Sequence, residues 1–310
     1  MGATSSLSPN AVKVILDDVV DVANDSFSKS RPNLAMVSDN QLFKQSTHDG
    51  GTKTTEEIEG TGYWTEKAEE ADSDDSTAKL VNQNATTMKT WSQTLNIPKE
   101  FFDDAKHSVV RKIVAKMARN GRMTQERQGF ALFRNATTTT YGDGSALLSD
   151  THTLGSGDTQ DNLETGALSE ANLDTLFQSL QSQKDQDGVL QGFMPYCMLV
   201  PPVLYKTACE ILDSELRSGT GDNDMNMYSS KYGVTIKSTP FISAAEGGSD
   251  TAHFVLAQEH EIERIVREPL STSLIDWQFS SNHNYKYTAR YRENVTVGSH
   301  IGVVGSDGSV

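Results

Sequence analysis

Cysteine, basic charge and long apolar runs are all scarce in this chain, and each scarcity removes a class of protein. Its 310 residues include two cysteines, Cys197 and Cys209. Two are too few for a disulfide-stapled secreted scaffold, and their spacing is not that of a metal site. Both are expected to be reduced, buried packing residues. No stretch approaches the roughly 18 apolar residues of a membrane-spanning helix, so no membrane partner is expected. The opening MGATSSLSPN has no basic segment followed by an apolar core. No signal peptide is therefore expected, and the chain reads as soluble and made in the cytosol. Twenty-seven basic residues stand against forty-two acidic ones, a formal charge of -15. Such a surface repels nucleic acid unless its basic residues are segregated.

Catalytic signatures are missing as well. There is no G-x-S-x-G elbow, no G-x-x-x-x-G-K-[ST] phosphate loop and no H-E-x-x-H pair. The histidines are scattered, so no catalytic residue, metal ligand or cofactor is assigned. The nearest approach to a site is Gly142-Asp143-Gly144-Ser145, followed by Asp150, His152, Asp158 and Asp161. It lacks the alternating ligands and closing Glu of a calcium hand, and a polar surface turn is the expected role. A metal-dependent hydrolase using Asp143, Asp150, His152 and Asp158 is the enzymatic alternative.

What the chain does contain is length and polarity. Its composition is 36% hydrophobic, which suits a folded protein with long polar loops, and its length suggests two domains. The organising stretch is Asp103 to Phe133. Read as a helix, it places Val109, Val110, Ile113, Val114, Met117, Ala118 and Gly121 on one stripe of 3.6-residue period. Asp103 and Asp104 suit the positive end of the helix dipole. No proline follows until Pro195, so the helix is expected to run to Phe133, roughly 45 Å at about 1.5 Å per residue. Gly121 and Gly129 weaken it by about 1 kcal/mol each relative to alanine. From Arg111 to Arg134 the only acid is Glu126, and Arg111, Lys112, Arg119 and Arg122 lie largely outside the apolar stripe. This basic set reads as a solvated face, as a contact for packaged nucleic acid, or as the complement of an acidic segment on another subunit.

Before that helix the chain has little to bury. Val12, Ile15, Leu16, Val19 and Val20 predict a short helix entered from Ser8-Pro9, an arm that packs on something else. From Leu42 to Ile97 no core pattern appears. Between Glu56 and Asp75 carboxylates crowd around Tyr63 and Trp64, with Lys67 the only base. Flanks rich in Thr suit extended chain. About 55 residues without a core are unusual inside a compact domain. A two-stranded excursion of this kind is marginal in water and gains stability by lying on a neighbouring molecule.

After the helix, Asn135 to Asn162 reads as loop. Ser169 caps a helix carrying Leu173, Leu176, Phe177 and Leu180 at i, i+3, i+4 and i+7. Phe193–Val200 reads as a buried strand, and Pro201-Pro202 opens a helix with Leu204, Ala208, Ile211 and Leu212 inward. Gly219 to Asn226 is a polar loop, and Val234–Ile236 and His253–Leu256 are further strands. These parts suggest a small α/β unit inserted into a larger domain. Finally Tyr285, Tyr287, Ala289 and Tyr291 alternate with Lys286, Thr288, Arg290 and Arg292, the cleanest period-two pattern in the chain.

The loop YGDGSALLSDTHTLGSGDTQDN (Tyr141 to Asn162), the strand–helix MLVPPVLYKTACEIL (Met198 to Leu212) and the stretch YKYTARYRENVTVGSHIGVVGSDG (Tyr285 to Gly308) together resemble the major capsid proteins of tailed bacteriophages. The likeness is nearest to the Mu-like major head subunit family, which has the HK-97-type α+β capsid fold. With the arm, the extended loop and the long helix, it covers nearly the whole chain. It implies an N-terminal arm (1–35), an extended loop (36–97), a peripheral domain with the spine helix (98–190 and 260–310) and an axial domain (191–259). The implied function is a major head protein, a structural rather than catalytic component, assembling through hexamers and pentamers into the icosahedral shell around phage double-stranded DNA. Scaffold, portal and decoration proteins are the implied partners, with weak, non-specific DNA contact. The implied location is the virion head, assembled in the host cytoplasm.

The subunit-interface residues expected on this reading are Tyr63, Trp64, Glu66, Glu69 and Glu70 in the loop and Arg111, Lys112, Arg119 and Arg122 on the helix. Asp222 and Asn223 join them at the capsomer axis. Some relatives join a loop Lys to a neighbour's Asn, and nothing singles out Lys44, Lys53, Lys67 or Lys79 for that chemistry. Some lose an N-terminal scaffolding domain; here no cleavage and a separate scaffold are expected. An encapsulin-like compartment shares the fold and requires a hydrophobic pocket for a cargo peptide near the arm. A trimeric tail or receptor-binding protein predicts β-repeats, which are absent from the sequence.

Overall fold

The computed structural model describes residues 8–31, 34–37, 42–104, 106–214, 228 and 233–309. In chain order its helices are α1 (Pro9–Ser30), α2 (Glu100–Asp103), α3 (His107–Gly129), α4 (Ala131–Arg134), α5 (Glu170–Gln181) and α6 (Tyr205–Leu212). The first strands are β1 (Lys44–Thr47), β2 (Thr52–Glu59), β3 (Lys79–Thr87), β4 (Lys89–Pro98), β5 (His152–Thr153), β6 (Thr159–Gln160) and β7 (Leu163–Glu164). They are followed by β8 (Pro195–Val200), β9 (Thr235–Ser238), β10 (His253–Ala257), β11 (Ile262–Ile275), β12 (Asn284–Val297) and β13 (Val303–Ser306). The chain divides into two compact units. One comprises Met1–Thr52, Thr87–Gly129 and Arg264–Val295; the other comprises Lys53–Thr86, Phe130–Glu263 and Thr296–Val310.

In the first unit, α1 begins where Ser8 Oγ accepts the Ala11 N–H and Pro9 supplies a fixed φ at the first helical turn. The helix is 22 residues long, not the short one its first apolar cluster suggests. Ala23 and Phe27 carry the inward stripe beyond Val20, and a Lys29–Asp25 pair at 2.7 Å lies on the exposed side. The long helix α3 is also bounded differently from expectation. It starts at His107, because Asp103 and Asp104 belong to the turn of α2, and it ends at Gly129 rather than Phe133. A Cβ at Gly129 would lie 2.5 Å from Val37, so only glycine allows that close approach. Val110, Val114, Met117 and Ala118 are buried, while Val109 and Ile113 are exposed. They pack with Val12, Leu16 and Val20 of α1 and with Ile97, Tyr285 and Tyr287 of the adjoining sheet.

That sheet has the order β1-β11-β12-β4. β12 and β4 are antiparallel, with Tyr285 opposite Ile97, Tyr287 opposite Leu95 and Tyr291 opposite Trp91. Tyr285, Tyr287 and Tyr291 are buried, as the alternation predicts. Strand β11 has no counterpart in the sequence reading. Only its first residues are buried, and Pro269 interrupts a run whose far half is exposed, so period two never emerges. Its Arg264 is nonetheless central. The guanidinium donates to Glu293 Oε2 from Nε at 3.1 Å and from the terminal nitrogen at 2.5 Å, and Gln125 Nε2 of α3 reaches the same oxygen at 3.2 Å. Glu126, the acid in the basic stretch, is fully buried and accepts the Val37 N–H at 2.9 Å.

The second unit is built on a mixed sheet, β7-β13-β10-β8-β9. β8 lies antiparallel to β10 and parallel to β9; β13 lies antiparallel to β10 and parallel to β7. The expected α/β insertion therefore does not close on itself, because its strands share a sheet with β7 and β13. Leu173, Leu176, Phe177 and Leu180 of α5 and Ala208 and Leu212 of α6 cover Met198, Val200, Val255 and Val304. Cys197 is buried, and burial pushes its thiol up to about 12. Cys209 is only half-buried, contrary to expectation. The loop from Gly219 to Asn226 lies outside the described residues.

Asp17 ties the arm helix to the sheet. Its Oδ1 accepts from the Tyr287 hydroxyl and from Thr272 Oγ1, each at 2.6 Å, and Lys13 pairs with Oδ2 at 3.0 Å. Burial alone would raise its pKa, but those three partners outweigh it and hold the carboxyl below its ordinary 3.8. A depressed pKa contributes stability that is present above the unfolded-state value and lost as pH falls through the folded-state value. Tyr287→Phe, which keeps the ring, is expected to cost about 1–2 kcal/mol at pH 7. The cost should shrink below about pH 4. Chemical denaturation at both pH values checks this; a cost independent of pH would contradict it.

Candidate functional site

Among the described residues, strands β2 and β3 pair only with each other. Their cross-strand side chains are polar: Lys79 with Glu59 at 3.0 Å, Asn82 with Glu57 at 2.7 Å and Gln83 with Glu56 at 3.3 Å. Beyond the strands the chain has no regular secondary structure, and every residue from Thr61 to Leu80 is exposed. Tyr63 is 68% exposed and Trp64 95%. The base of this excursion is fixed to a turn of its own unit. Asp187 accepts the N–H groups of Gly60 at 2.6 Å and Thr61 at 3.3 Å, and the Leu190 N–H donates to the Tyr63 hydroxyl at 3.1 Å. Thr65 donates to Asp74 across the loop. The ribbon is thus aimed by backbone hydrogen bonds while its aromatic faces stay in water. Sequence reasoning found the aromatic pair and missed Asp187, although Asp187-Gly188 has the chemistry of a turn.

The charged residues expected at an interface are available for one. Glu66, Glu69 and Glu70 are exposed, as are Arg111, Lys112 and Arg119; Arg122 is half-buried. Among the described residues no ion pair holds Glu66, Glu69, Glu70, Arg111, Lys112 or Arg119. Asp222 and Asn223 lie outside the described residues. Of the loop lysines, Lys53 pairs with Glu263 at 2.5 Å and Lys79 with Glu59.

The four residues of the hydrolase alternative do not form one site. Asp150 is exposed and accepts from Thr151, and Asp158 is exposed and pairs with Lys184 at 3.0 Å. Asp143 and His152 do meet, with Nδ1 2.6 Å from Oδ2. A third residue, unforeseen from 148 positions away in sequence (His300 against His152), stacks on His152 with ring centroids 3.8 Å apart and planes within 2°. Gly144, at φ +80°, permits the turn in which Asp143 Oδ1 takes the Ser145 N–H, leaving Oδ2 for the histidines. Burial acts to raise the Asp143 pKa, but the His152 hydrogen bond, the Ser145 N–H and the two imidazoles bring it below its ordinary value. Burial, reinforced by His152 and opposed by Asp143, pushes His300 down to about 3.

A spine helix packed on long antiparallel strands, a mixed sheet with covering helices and a coreless ribbon are the parts of an HK97-type capsid subunit, an α+β shell-protein fold. The family model described as phage capsid protein matches residues 83–305, and the chain belongs to that family. Solved structures support the fold at low identity. The capsid of Myoviridae phage XM1 is 11% identical at TM-score 0.52, with 87% of this chain and 91% of that one covered. The capsid of cyanophage P-SCSP1u is 12% identical at TM-score 0.53, with 86% of each chain covered. The SrpI encapsulin complex of Synechococcus elongatus PCC 7942 is 12% identical at TM-score 0.51, covering 88% and 87%. No curated protein sequence matches the chain. The protein is a structural one, a major capsid subunit that self-assembles into the shell of a phage head. No helix among the described residues is long and apolar enough to cross a membrane.

The exposure of Trp64 gives a direct assay. In the unassembled chain a soluble quencher should reach Trp64 freely, and assembled particles should protect it and blue-shift its emission. The difference should disappear in Trp64→Phe. Equal quenching before and after assembly would show that the ribbon stays in solvent in the shell.

Proposed function

We propose that the chain forms hexamers and pentamers that close into an icosahedral shell around phage double-stranded DNA, each subunit laying its ribbon on the next. The observation that carries this is the unbroken exposure from Thr61 to Leu80 in a segment containing Tyr63 and Trp64. Aromatic side chains of this size are stabilised by burial, and a partner is the only source of it for residues that their own unit leaves bare. Residues 1–35 serve as the arm, 36–97 as the extended loop, 98–190 and 260–310 as the peripheral domain and 191–259 as the axial domain. That plan names regions by their place in a shell, whereas the two compact units describe packing within one chain. The likeness of Tyr141–Asn162 and Met198–Leu212 to Mu-like head subunits supports placing the protein in that subfamily. Assembly takes place in the host cytoplasm with a separate scaffold and a portal, and decoration proteins are further partners. DNA contact is weak and non-specific, since the formal charge of -15 disfavours adhesion to the genome.

Glu66, Glu69 and Glu70 pair with the neighbour's Arg111, Lys112, Arg119 and Arg122, each contact contributing about 0–1 kcal/mol and the total growing with copy number. A second reading, an encapsulin-like compartment, is favoured by one observation. A cavity of about 560 Å³ in the first unit is lined by Val20 and Asn24 of the arm helix with Trp91, Met117, Leu270 and Tyr291. Purified particles distinguish the two, since a head carries nucleic acid and a compartment carries a protein guest. For the assembly mechanism, Glu66, Glu69 and Glu70 changed together to Lys should abolish particle formation while leaving the circular dichroism and melting of the single chain unaltered. Normal particle yield from that triple variant would remove the electrostatic pairing.

A further inference from the structure

We propose that Asp143, His152 and His300 bind one divalent transition-metal ion, with Glu57 as an outer partner at the same cavity, and that zinc suits this donor set best. The donor atoms of Asp143, His152 and His300 all lie within 4.8 Å of one another, with His152 Nδ1 at 2.6 Å and His300 Nδ1 at 3.9 Å from Asp143 Oδ2. Tetrahedral bonds of about 2.0–2.2 Å set donors roughly 3.4 Å apart, so the observed separations straddle the requirement. Both imidazoles are almost wholly buried, His152 1% and His300 5% exposed.

The surroundings prepare His152 as a ligand. Asn162 Nδ2 donates to the carbonyls of Leu147 at 2.8 Å and Val303 at 3.1 Å, which fixes its Oδ1 as the acceptor facing His152 Nε2 at 3.1 Å. The Nε2 nitrogen therefore carries a hydrogen, and in the neutral ring Nδ1 presents its lone pair to Asp143 Oδ2. Two lone pairs 2.6 Å apart repel unless a proton lies between them; a metal ion sets its donors about 3.4 Å apart, so it would replace that proton and widen the pair. An outer partner that fixes the tautomer of a buried histidine is the usual support of a metal ligand.

Glu57 supplies an independent indication. Its Oε2 accepts from Asn82 at 2.7 Å and Gln186 at 3.1 Å, while its Oε1 is buried without a hydrogen-bond partner among the described residues. Glu57 lines the same cavity as Asp143, His152 and His300, and that cavity is about 10 Å³, room for one ion or one water and not for an organic molecule. Two imidazoles and one carboxylate favour zinc over magnesium or calcium, which take oxygen ligands. Binding has costs. The parallel rings must splay to direct both Nδ1 lone pairs at one point, and the 3.5 Å contact between Gln160 Nε2 and His300 Nε2 is given up. His300 sits in the turn between β12 and β13, so its ring can rotate without breaking a strand. Glu57 belongs to β2, so its carboxylate brings the ribbon's base up to the site within the second unit.

The test uses the chain stripped with EDTA, dialysed, and titrated with zinc ion alone by calorimetry, with bound metal counted by mass spectrometry after gel filtration. One zinc per chain and a Tm raised by several degrees are expected. Glu57→Gln, which leaves the stacked rings in place, should weaken binding about 10-fold or more. His300→Ala should abolish it. Absence of saturable uptake by the unaltered chain overturns the proposal, as does equal uptake by the unaltered chain and a folded Glu57→Gln or His300→Ala variant. The unaltered chain is read first, so a variant that fails to fold does not shelter the idea. Uptake is a property of the single chain, so its failure leaves the shell reading intact, and particle yield with and without zinc is scored separately.

Discussion

A ribbon that cannot bury itself is the constraint on which this protein depends. Two strands rich in Thr, Glu, Asn and Gln pair, among the described residues, only with each other, and twenty residues from Thr61 to Leu80 stay in water throughout. Isolated two-stranded hairpins are marginal in solution, and ordering each residue costs roughly 1–2 kcal/mol. The Asp187 carboxylate and the Tyr63 hydroxyl fix the direction of the ribbon without hiding its aromatic rings. Tyr63 and Trp64 are consequently left in water. On the proposed reading, self-assembly draws on that deficit more than on any single ion pair.

The first unit is kept in register by buried polar contacts around which the apolar core is arranged. Glu293 accepts from Arg264 and Gln125, Glu126 takes the Val37 N–H, and Asp17 takes the hydroxyls of Tyr287 and Thr272. A buried ion pair adds modest net stability, yet losing one partner strands a charge in low dielectric at a cost of about 3–5 kcal/mol. The network therefore makes wrong pairings expensive. It links α3 to β11 and β12 and to the segment at Val37, and it links α1 to the same strands. In the second unit the same logic is compressed into Asp143, His152 and Asn162, whose hydrogen bonds at 2.6 and 3.1 Å hold the His152 ring between them.

Elements whose residues carry a local rhythm were legible in advance. The 3.6 period of α3 and α5, the alternation of Tyr285, Tyr287 and Tyr291, and the acidic, coreless character of the ribbon are all properties of successive residues. Boundaries were less legible. α3 stops at Gly129 because Val37, remote in sequence, crosses there, and α1 continues to Ser30 because Phe27 finds a core that its own neighbours do not reveal. Strand β11 was invisible because its exposed half and Pro269 erase the alternation. The basic stretch on α3 was read as one set, yet Glu126 within it is a buried acceptor and not part of the charged surface.

Sequence alone determined the class of the protein: an acidic, cysteine-poor chain with a long helix, a late alternating strand and a lengthy polar excursion, because those properties are composition and periodicity. Only the tertiary structure decided which distant residues meet. His300 joins His152, Glu293 joins Arg264 and β13 joins the sheet of β10, because such pairings are set by how the elements pack and leave no periodic trace in the chain.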